Sequence, residues 1–466
     1  MTLYRTMLHR LNGFPGPFLA KVTKLWHAAH LFDSKNHLLL GRLHQQYGNF
    51  VRTGPSEVTV FEPEVLGAVD GPGSHCTKAV WYDALQPESL VNTTRDNGIH
   101  TQRRRMWNNA FTPQALSGYE DQIVFYARRF EKEVARSVGN PVDASSLIYK
   151  FTFDLMGEVA FSRNAGQDRL RDQQWHAAMT ALQKGMALLG PLSPVPWLLH
   201  IGLSLPFIPI VRDWNSMVAF CKSCIDDRIK LEETDHDISS WLIDSSQAKA
   251  LSEEERMKWL YGDAITMVIA GSDTVAPSLV FLFYHMALHP GPTEAIRKDL
   301  QTLDSLHDVN ALLSLPSMTG FIHETLRLYP TTPTGGYRVT PPEGLHVAGR
   351  YIPGGTTVVA PAYNIGRLAS CFQRPDEFIP ERWSSRPDLV LNKRAFAPFK
   401  QGRYSCIGKK LALAELSIVV ALIVSKYHIR FPPGEDGSWV VRDMRDCFTA
   451  KPGQLNLVFD AVDDRC

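Results

Sequence analysis

The amino-acid sequence predicts a mainly α-helical fold with a smaller β portion, and three observations carry that prediction. Two long apolar stretches, residues 260–288 and 409–427, have the length and composition of buried helices. Between residues 97 and 189 the apolar spacing is mostly that of amphipathic helices. Short alternating pieces bounded by turn residues lie before Gly73 and after Pro330, and these read as strands.

In chain order, strands are expected at residues 50–52 and 58–61. Helices follow, among them residues 119–138, 147–161 and 213–233. Residues 192–211 form an apolar run, but Pro194, Pro196, Pro206 and Pro209 forbid one continuous helix there. That segment reads either as a membrane-dipping lid over a channel or as a loop packed on the core. The helix over 260–288, roughly 29 residues, would span on the order of 40 Å. Pro277 should bend it, because proline has no N–H to return to the preceding turn. Shorter helices near 293–300 and 320–328 come next. Strands at 345–347, 350–352 and 356–360 precede the second apolar helix, and residues 455–459 make a closing strand.

Composition narrows the function classes. The chain has 466 residues, 44% of them hydrophobic, enough for a large core. A net charge of +1 gives no electrostatic footprint for a nucleic-acid partner. The seven cysteines (Cys76, Cys221, Cys224, Cys371, Cys406, Cys447 and Cys466) are odd in number and lack disulfide-framework spacing, which suits a reducing compartment. Cys221-Lys-Ser-Cys224 has no second pair and reads as part of a helix, not as a zinc or redox site. The turn-forming run Phe14-Pro15-Gly16-Pro17 comes too early for a membrane anchor of about twenty residues to precede it. An anchor is therefore expected to be absent from this chain, either removed or never present.

Chemistry concentrates in a few places. Phe399-Lys-Gln-Gly402-Arg403-Tyr404-Ser405-Cys406-Ile407-Gly408 sets one cysteine between two glycines, just before an apolar helix. Gly402 permits a turn that a Cβ would block. Free N–H groups at the helix start favour an anionic sulfur. Within the long helix, Ala270-Gly271-Ser272-Asp273-Thr274 gathers poor helix formers. Ala270 and Gly271 leave room for a flat group, Thr274 offers a hydroxyl and Asp273 a carboxylate. Glu324 and Arg327 share a helix face whose neighbours are apolar, so the pair should be buried. His100 and Arg104 share another face, while Arg103 and Arg105 read as solvated.

These motifs, with Pro380-Glu-Arg382-Trp383, lie in the order found in the haem-thiolate monooxygenases, and the chain resembles the cytochrome P450 family across about residues 13–458. The resemblance implies the family's fold, with one haem-thiolate domain over residues 1–466 in which 1–17 form the hinge and N-terminal segment. It implies haem b (iron protoporphyrin IX) with Cys406 as the iron ligand. Phe399 and Gly402 shape the ligand loop, and His100, Arg104 and Arg338 hold the propionates. Asp273 and Thr274 deliver protons to bound O2. Glu324, Arg327 and Arg382 support the loop. Tyr404 stands where the family keeps a further arginine, with Arg403 shifted by one, which leaves the third propionate contact open. Lys400, Arg403, Lys409 and Lys410 would form a basic face for NADPH–cytochrome P450 reductase.

By the same resemblance the substrate is a small hydrophobic molecule, most like those of fungal members of secondary metabolism. Its pocket walls are residues 81–90, 192–207, 268–270, 333–336 and 447–449. Indole alkaloids or diketopiperazines, polyketide-derived rings and terpenoids all remain open, as do hydroxylation, coupling and rearrangement. Two alternatives stand beside the monooxygenase: a haem-thiolate isomerase or peroxygenase, and a non-enzymatic haem sensor. The implied location is the cytosolic face of the endoplasmic reticulum, with membrane association, or the cytosol if no anchor exists.

Overall fold

The computed structural model describes residues 2–86, 88–162, 169–205, 207–231, 237–247 and 251–462. Pro206, Glu233 and Cys466 lie outside those residues. Helices dominate, and they begin earlier than apolar periodicity indicates. The expected helix at 119 starts at Pro113 behind a Thr112 cap, and the one at 147 starts behind Asp143, whose carboxylate accepts from Ser146 N at 3.0 Å. Pro113, Pro209, Pro290 and Pro316 each sit in the first helical turn, where a missing N–H costs nothing. The longest helix runs Glu253–Leu288, 36 residues, and opens on a capping box between Ser252 and Glu255. It stays helical through Pro277, although that residue returns no hydrogen bond to Asp273 O. The proline-rich run resolves into short helices Leu189–Leu192 and Pro196–Leu203, with Pro209 opening Pro209–Lys230.

A five-stranded sheet flanks the helices in the order Phe50–Gly54, Glu57–Val60, Thr357–Val359, Tyr337–Val339, Thr77–Lys78. Leu345–Val347 and Arg350–Ile352 form the expected hairpin. The closing strand is Asn456–Ala461, paired with Tyr427–Arg430. A second hairpin, Arg445–Cys447 with Thr449–Lys451, was not expected; its strands are too short to show a period.

The long helix lies in the main core against Ala144–Phe161. A Cβ on Gly271 would meet Met156 Sδ at 2.0 Å, so glycine here permits close helix packing. Together with Ala270 it also borders the open space expected for a flat group. Arg103, expected to be solvated, is buried and ion-paired with Asp263, which also accepts from Trp107 Nε1 at 2.9 Å. These contacts tie Asn97–Asn109 to the long helix. Arg105 is exposed, as expected.

The Glu324 carboxylate is fully buried and accepts five hydrogen bonds. They come from Arg327 Nη2 (2.7 Å) and Nε (2.9 Å), Arg382 Nε (2.8 Å), the Ile379 N–H (2.9 Å) and Trp383 Nε1 (2.9 Å). Trp383 packs on Phe396 with ring centroids 4.4 Å apart, three residues before the cysteine loop begins.

The N-terminal helices dock through a second buried polar chain. Lys24 bonds Glu57 at 2.6 Å and His27 at 3.0 Å; His27 bonds Asn36 at 2.8 Å, and Asn36 donates to Thr334 at 3.0 Å. Burial, with Lys24 beside it, pushes His27 down to about 3. Burial does the same to His37, with Arg367 adding to the effect.

Glu324→Ala should leave two buried guanidinium groups unpaired and cost about 3–5 kcal/mol of stability, read by denaturant unfolding of the purified protein. The histidines give a pH signature. Between about pH 6.5 and 3 the unfolded chain binds protons that folded His27 and His37 refuse, so stability falls as pH falls through that window. His27→Gln should flatten that slope, measured as urea midpoints at neutral and mildly acidic pH.

Candidate functional site

The cysteine loop is built by backbone constraints. Lys400 and Gly402 take left-handed conformations (φ +58° and +59°), and a Cβ on Gly402 would meet Asp70 O at 2.3 Å. Glycine is required there. The Cys406 N–H bonds Phe399 O at 2.8 Å, closing the loop, and Lys409–Lys426 starts three residues on. Burial raises the Cys406 thiol pKa, while the Gly408 N–H, Arg104 and Lys409 favour its anion. The sulfur is exposed only in the sense that it opens onto internal space, lining two adjoining cavities of about 290 and 250 Å³. Both cavities also share Trp107, Thr266, Ala270, Tyr404 and Ile407, so they form one slot between the cysteine loop and the long helix. A Cβ on Gly408 would point into open space beside it.

One rim of the slot is crowded with cations. Arg104 donates to Ser405 O at 2.6 Å. Arg338 is buried between Asp70 (2.7 Å) and the Tyr82 hydroxyl (3.0 Å); those partners outweigh burial and hold its pKa up. Lys78, which sequence reasoning missed, is pushed down to about 7 by burial and by Arg338. Lys400 lies here too, 3.7 Å from Asp70, and not on the outer basic face where it was expected. Arg403, Lys409 and Lys410 remain exposed. His100 is pushed down to about 3 by burial and by Lys78 and Arg104, so it is a neutral donor with its buried Nδ1 unpartnered. The Tyr404 hydroxyl donates to Asn97 Oδ1 at 2.5 Å, and its ring lies 4.5 Å beneath the Arg338 guanidinium. Phenol and arginine are thus engaged with each other.

This rim carries more positive charge than Asp70 neutralises, with an orphaned imidazole nitrogen among its donors. A flat group bearing two carboxylates would satisfy both, and a soft sulfur lies at the slot's floor. The residues fit haem.

The long helix forms the opposite wall. Ala270 faces both cavities, and Thr274 lines the second, its hydroxyl donating to Ala270 O at 2.7 Å. Asp273 does not join them. It is buried on another helix face, accepts from Thr449 Oγ1 at 2.5 Å, lies 4.0 Å from Lys451 Nζ, and lines neither cavity. One residue turns a helix by about 100°, so adjacent positions see different surroundings. Burial raises the Asp273 pKa against the pull of Lys451 and Thr449.

Trp81 heads the remaining wall and stacks on Phe448 (4.6 Å) and on Tyr337 (5.3 Å). Met186 and Leu189 line it where residues 192–207 were expected; none of the described residues in that run reaches the cavity. Glu415, also missed, lines the second cavity with burial pushing its carboxyl up to about 8, so it keeps its proton at neutral pH.

A family model described as Cytochrome P450 matches residues 15–457. The cytochrome P450 monooxygenase notG' of Aspergillus versicolor is 37% identical over 96% of this chain and 82% of its own length. The corresponding figures are 36%, 99% and 97% for the cytochrome P450 monooxygenase sthD of Phaeosphaeria nodorum, and 36%, 94% and 78% for tryprostatin B 6-hydroxylase of Aspergillus fumigatus. The crystal structure of the cytochrome P450DA haem domain shares the fold at a TM-score of 0.74 and 18% identity, covering 94% of this chain and 95% of its own. The chain belongs to the cytochrome P450 family and is a haem-dependent monooxygenase.

Proposed function

We propose that this cytochrome P450 takes electrons from NADPH–cytochrome P450 reductase and hydroxylates a planar, uncharged aromatic secondary metabolite. The observation that carries this reading is the single slot joining the Cys406 sulfur to Ala270 and then to the Trp81–Phe448 stack. When bound, haem supplies the activation of O2 and the oxidising power, with a thiolate ligand favouring O–O cleavage.

The chain's own residues do the rest. Cys406 supplies the thiolate from a loop whose N–H groups stabilise it. Phe399 and Gly402 hold that loop in place. Arg104, Arg338 and His100 hold the two carboxylates, joined by Lys78 and Lys400. Thr274 holds a proton at its hydroxyl where the helix opens onto the slot. Asp273 exchanges protons with the surface through the Lys451 side. The wall of Trp81, Val91, Leu189, Ile269 and Phe448 excludes water and orients aromatic rings by stacking. Hydroxylation is favoured over coupling or rearrangement because one relative is named for that reaction.

Exposed Arg403, Lys409 and Lys410 beside the loop support docking of an acidic flavoprotein. Exposed Leu8, Phe18, Phe32, Trp197 and Phe207 support contact with a membrane, and we place the enzyme on the cytosolic face of the endoplasmic reticulum.

The test is reconstitution with reductase and NADPH, screening aromatic metabolites for shifts in the haem spectrum and for products labelled from isotopic O2. Turnover without NADPH or O2 would turn the assignment toward an isomerase. Cys406→Ala should lose both turnover and the thiolate-type carbonyl absorption band, and a variant keeping the band would remove Cys406 from its role. Thr274→Ala should keep consuming NADPH while product per NADPH falls about tenfold or more, the rest appearing as peroxide or water.

A further inference from the structure

The hairpin Arg445–Cys447/Thr449–Lys451 joins two sites that the proposed function treats separately. Cys447 pairs directly with Thr449, so Phe448 alone makes the turn, at φ +71°, which is rare for an aromatic residue. Its ring faces the cavity and stacks on Trp81 at 4.6 Å. Its N–H bonds the buried Asp446 carboxylate, which also accepts from the Thr334 hydroxyl. The polar chain from His27 through Asn36 thus anchors one side of the tip. On the other side, Thr449 donates to buried Asp273, and Lys451 lies 4.0 Å from the same carboxylate while donating to Gln183 O at 2.8 Å. Neither Thr449 nor Lys451 lines the cavity.

Trp81 already stacks on two rings, Phe448 and Tyr337, and Phe448 shares the cavity wall with it. An aromatic ligand filling this wall must therefore press on Phe448 or replace it. A one-residue turn cannot absorb that movement, because the next residue holds Asp273. We infer that this hairpin tip is a latch: ligand contact at Phe448 loosens Thr449 and Lys451 from Asp273, freeing the carboxylate only when the cavity is filled. Thr449 and Lys451 are then positioning residues for the acid. The inference rests on the monooxygenase reading, in which Asp273 moves protons.

Coupling of this kind is reciprocal, which gives a binding test independent of turnover. If ligand opens the latch, then a broken latch binds ligand more tightly. The probe is clotrimazole, a bulky triphenyl imidazole, titrated by absorbance into the haem-loaded full chain. Thr449→Val, which removes the donor and keeps the shape, should bind it about fivefold or more tightly than wild type. Thr449→Ser should stay at the wild-type value. In a Phe448→Ala background, Thr449→Val should add nothing. Ligand-free NADPH consumption with reductase should also rise in Thr449→Val. Lys451→Met, which breaks the latch at its half-buried end, serves in its place if the valine variant does not load haem.

Equal clotrimazole affinity in wild type and the loaded latch variant overturns the inference, as does a gain that persists without Phe448. A wild-type protein with no carbonyl band and no NADPH-supported oxidation would instead overturn the monooxygenase reading. The two failures are distinct.

Discussion

A single carboxylate organises the half of the protein that presents the sulfur. Glu324 accepts two bonds from Arg327, one from Arg382, one from the Ile379 backbone and one from Trp383. The guanidinium groups spend their remaining donors on main-chain carbonyls of the irregular segment: Gly366, Pro375 and Glu377 for Arg327, Gln373 and Leu389 for Arg382. That segment has little regular hydrogen bonding of its own, so the side chains supply the partners its backbone needs. A buried ion network is weak evidence for stability by itself. Here it sets geometry, because Trp383 and Phe396 carry its position to the loop that ends at Cys406.

The opposite demand applies at the rim. Lys78, Arg104, Arg338 and Lys400 converge where Asp70 is the paired carboxylate among the described residues, and burial opposes the charge on Lys78, Arg104 and Lys400. Like charges held together in a poorly solvated place are costly unless an anion joins them. A bound dianionic group would relieve that cost, so its binding would favour the folded state on this face. Asp70 gives the arrangement its precision by orienting Arg338, while the backbone O of Asp70 blocks any side chain at position 402. Cofactor rim and ligand loop share one residue.

Much of this was legible from residue types and order. The cysteine loop, the Glu324–Arg327 pair and the long apolar helices rest on local patterns, and local patterns survive in a folded chain. Helix starts were not legible from periodicity, because prolines occupy several first turns and the first turn of the long helix is charged. Gly271 was read only as making the cofactor's space, which it borders, and it also makes room for Met156, a partner more than a hundred residues away. Lys78 and Arg103 were missed for the same reason. A basic or acidic residue in a polar-looking segment shows nothing of its burial until distant elements close over it.

The separation of Asp273 from Thr274 follows from helix geometry and gives the long helix two jobs. Pro277 has no N–H for the Asp273 carbonyl, so the ladder is broken where the acid sits. Hydroxyls of Ser272, Thr274 and Ser278 bond back to carbonyls of the preceding turn, a habit that bends helices. The segment facing the slot is therefore held by side chains as much as by its backbone. An acid placed there can change partners more cheaply than one in an intact ladder, and its present partners sit on a hairpin whose tip touches the substrate wall. A carboxylate facing the slot permanently would admit protons whether or not substrate was bound. On the proposed reading, facing it away, against Thr449 and Lys451, would make proton delivery conditional on something that moves the hairpin.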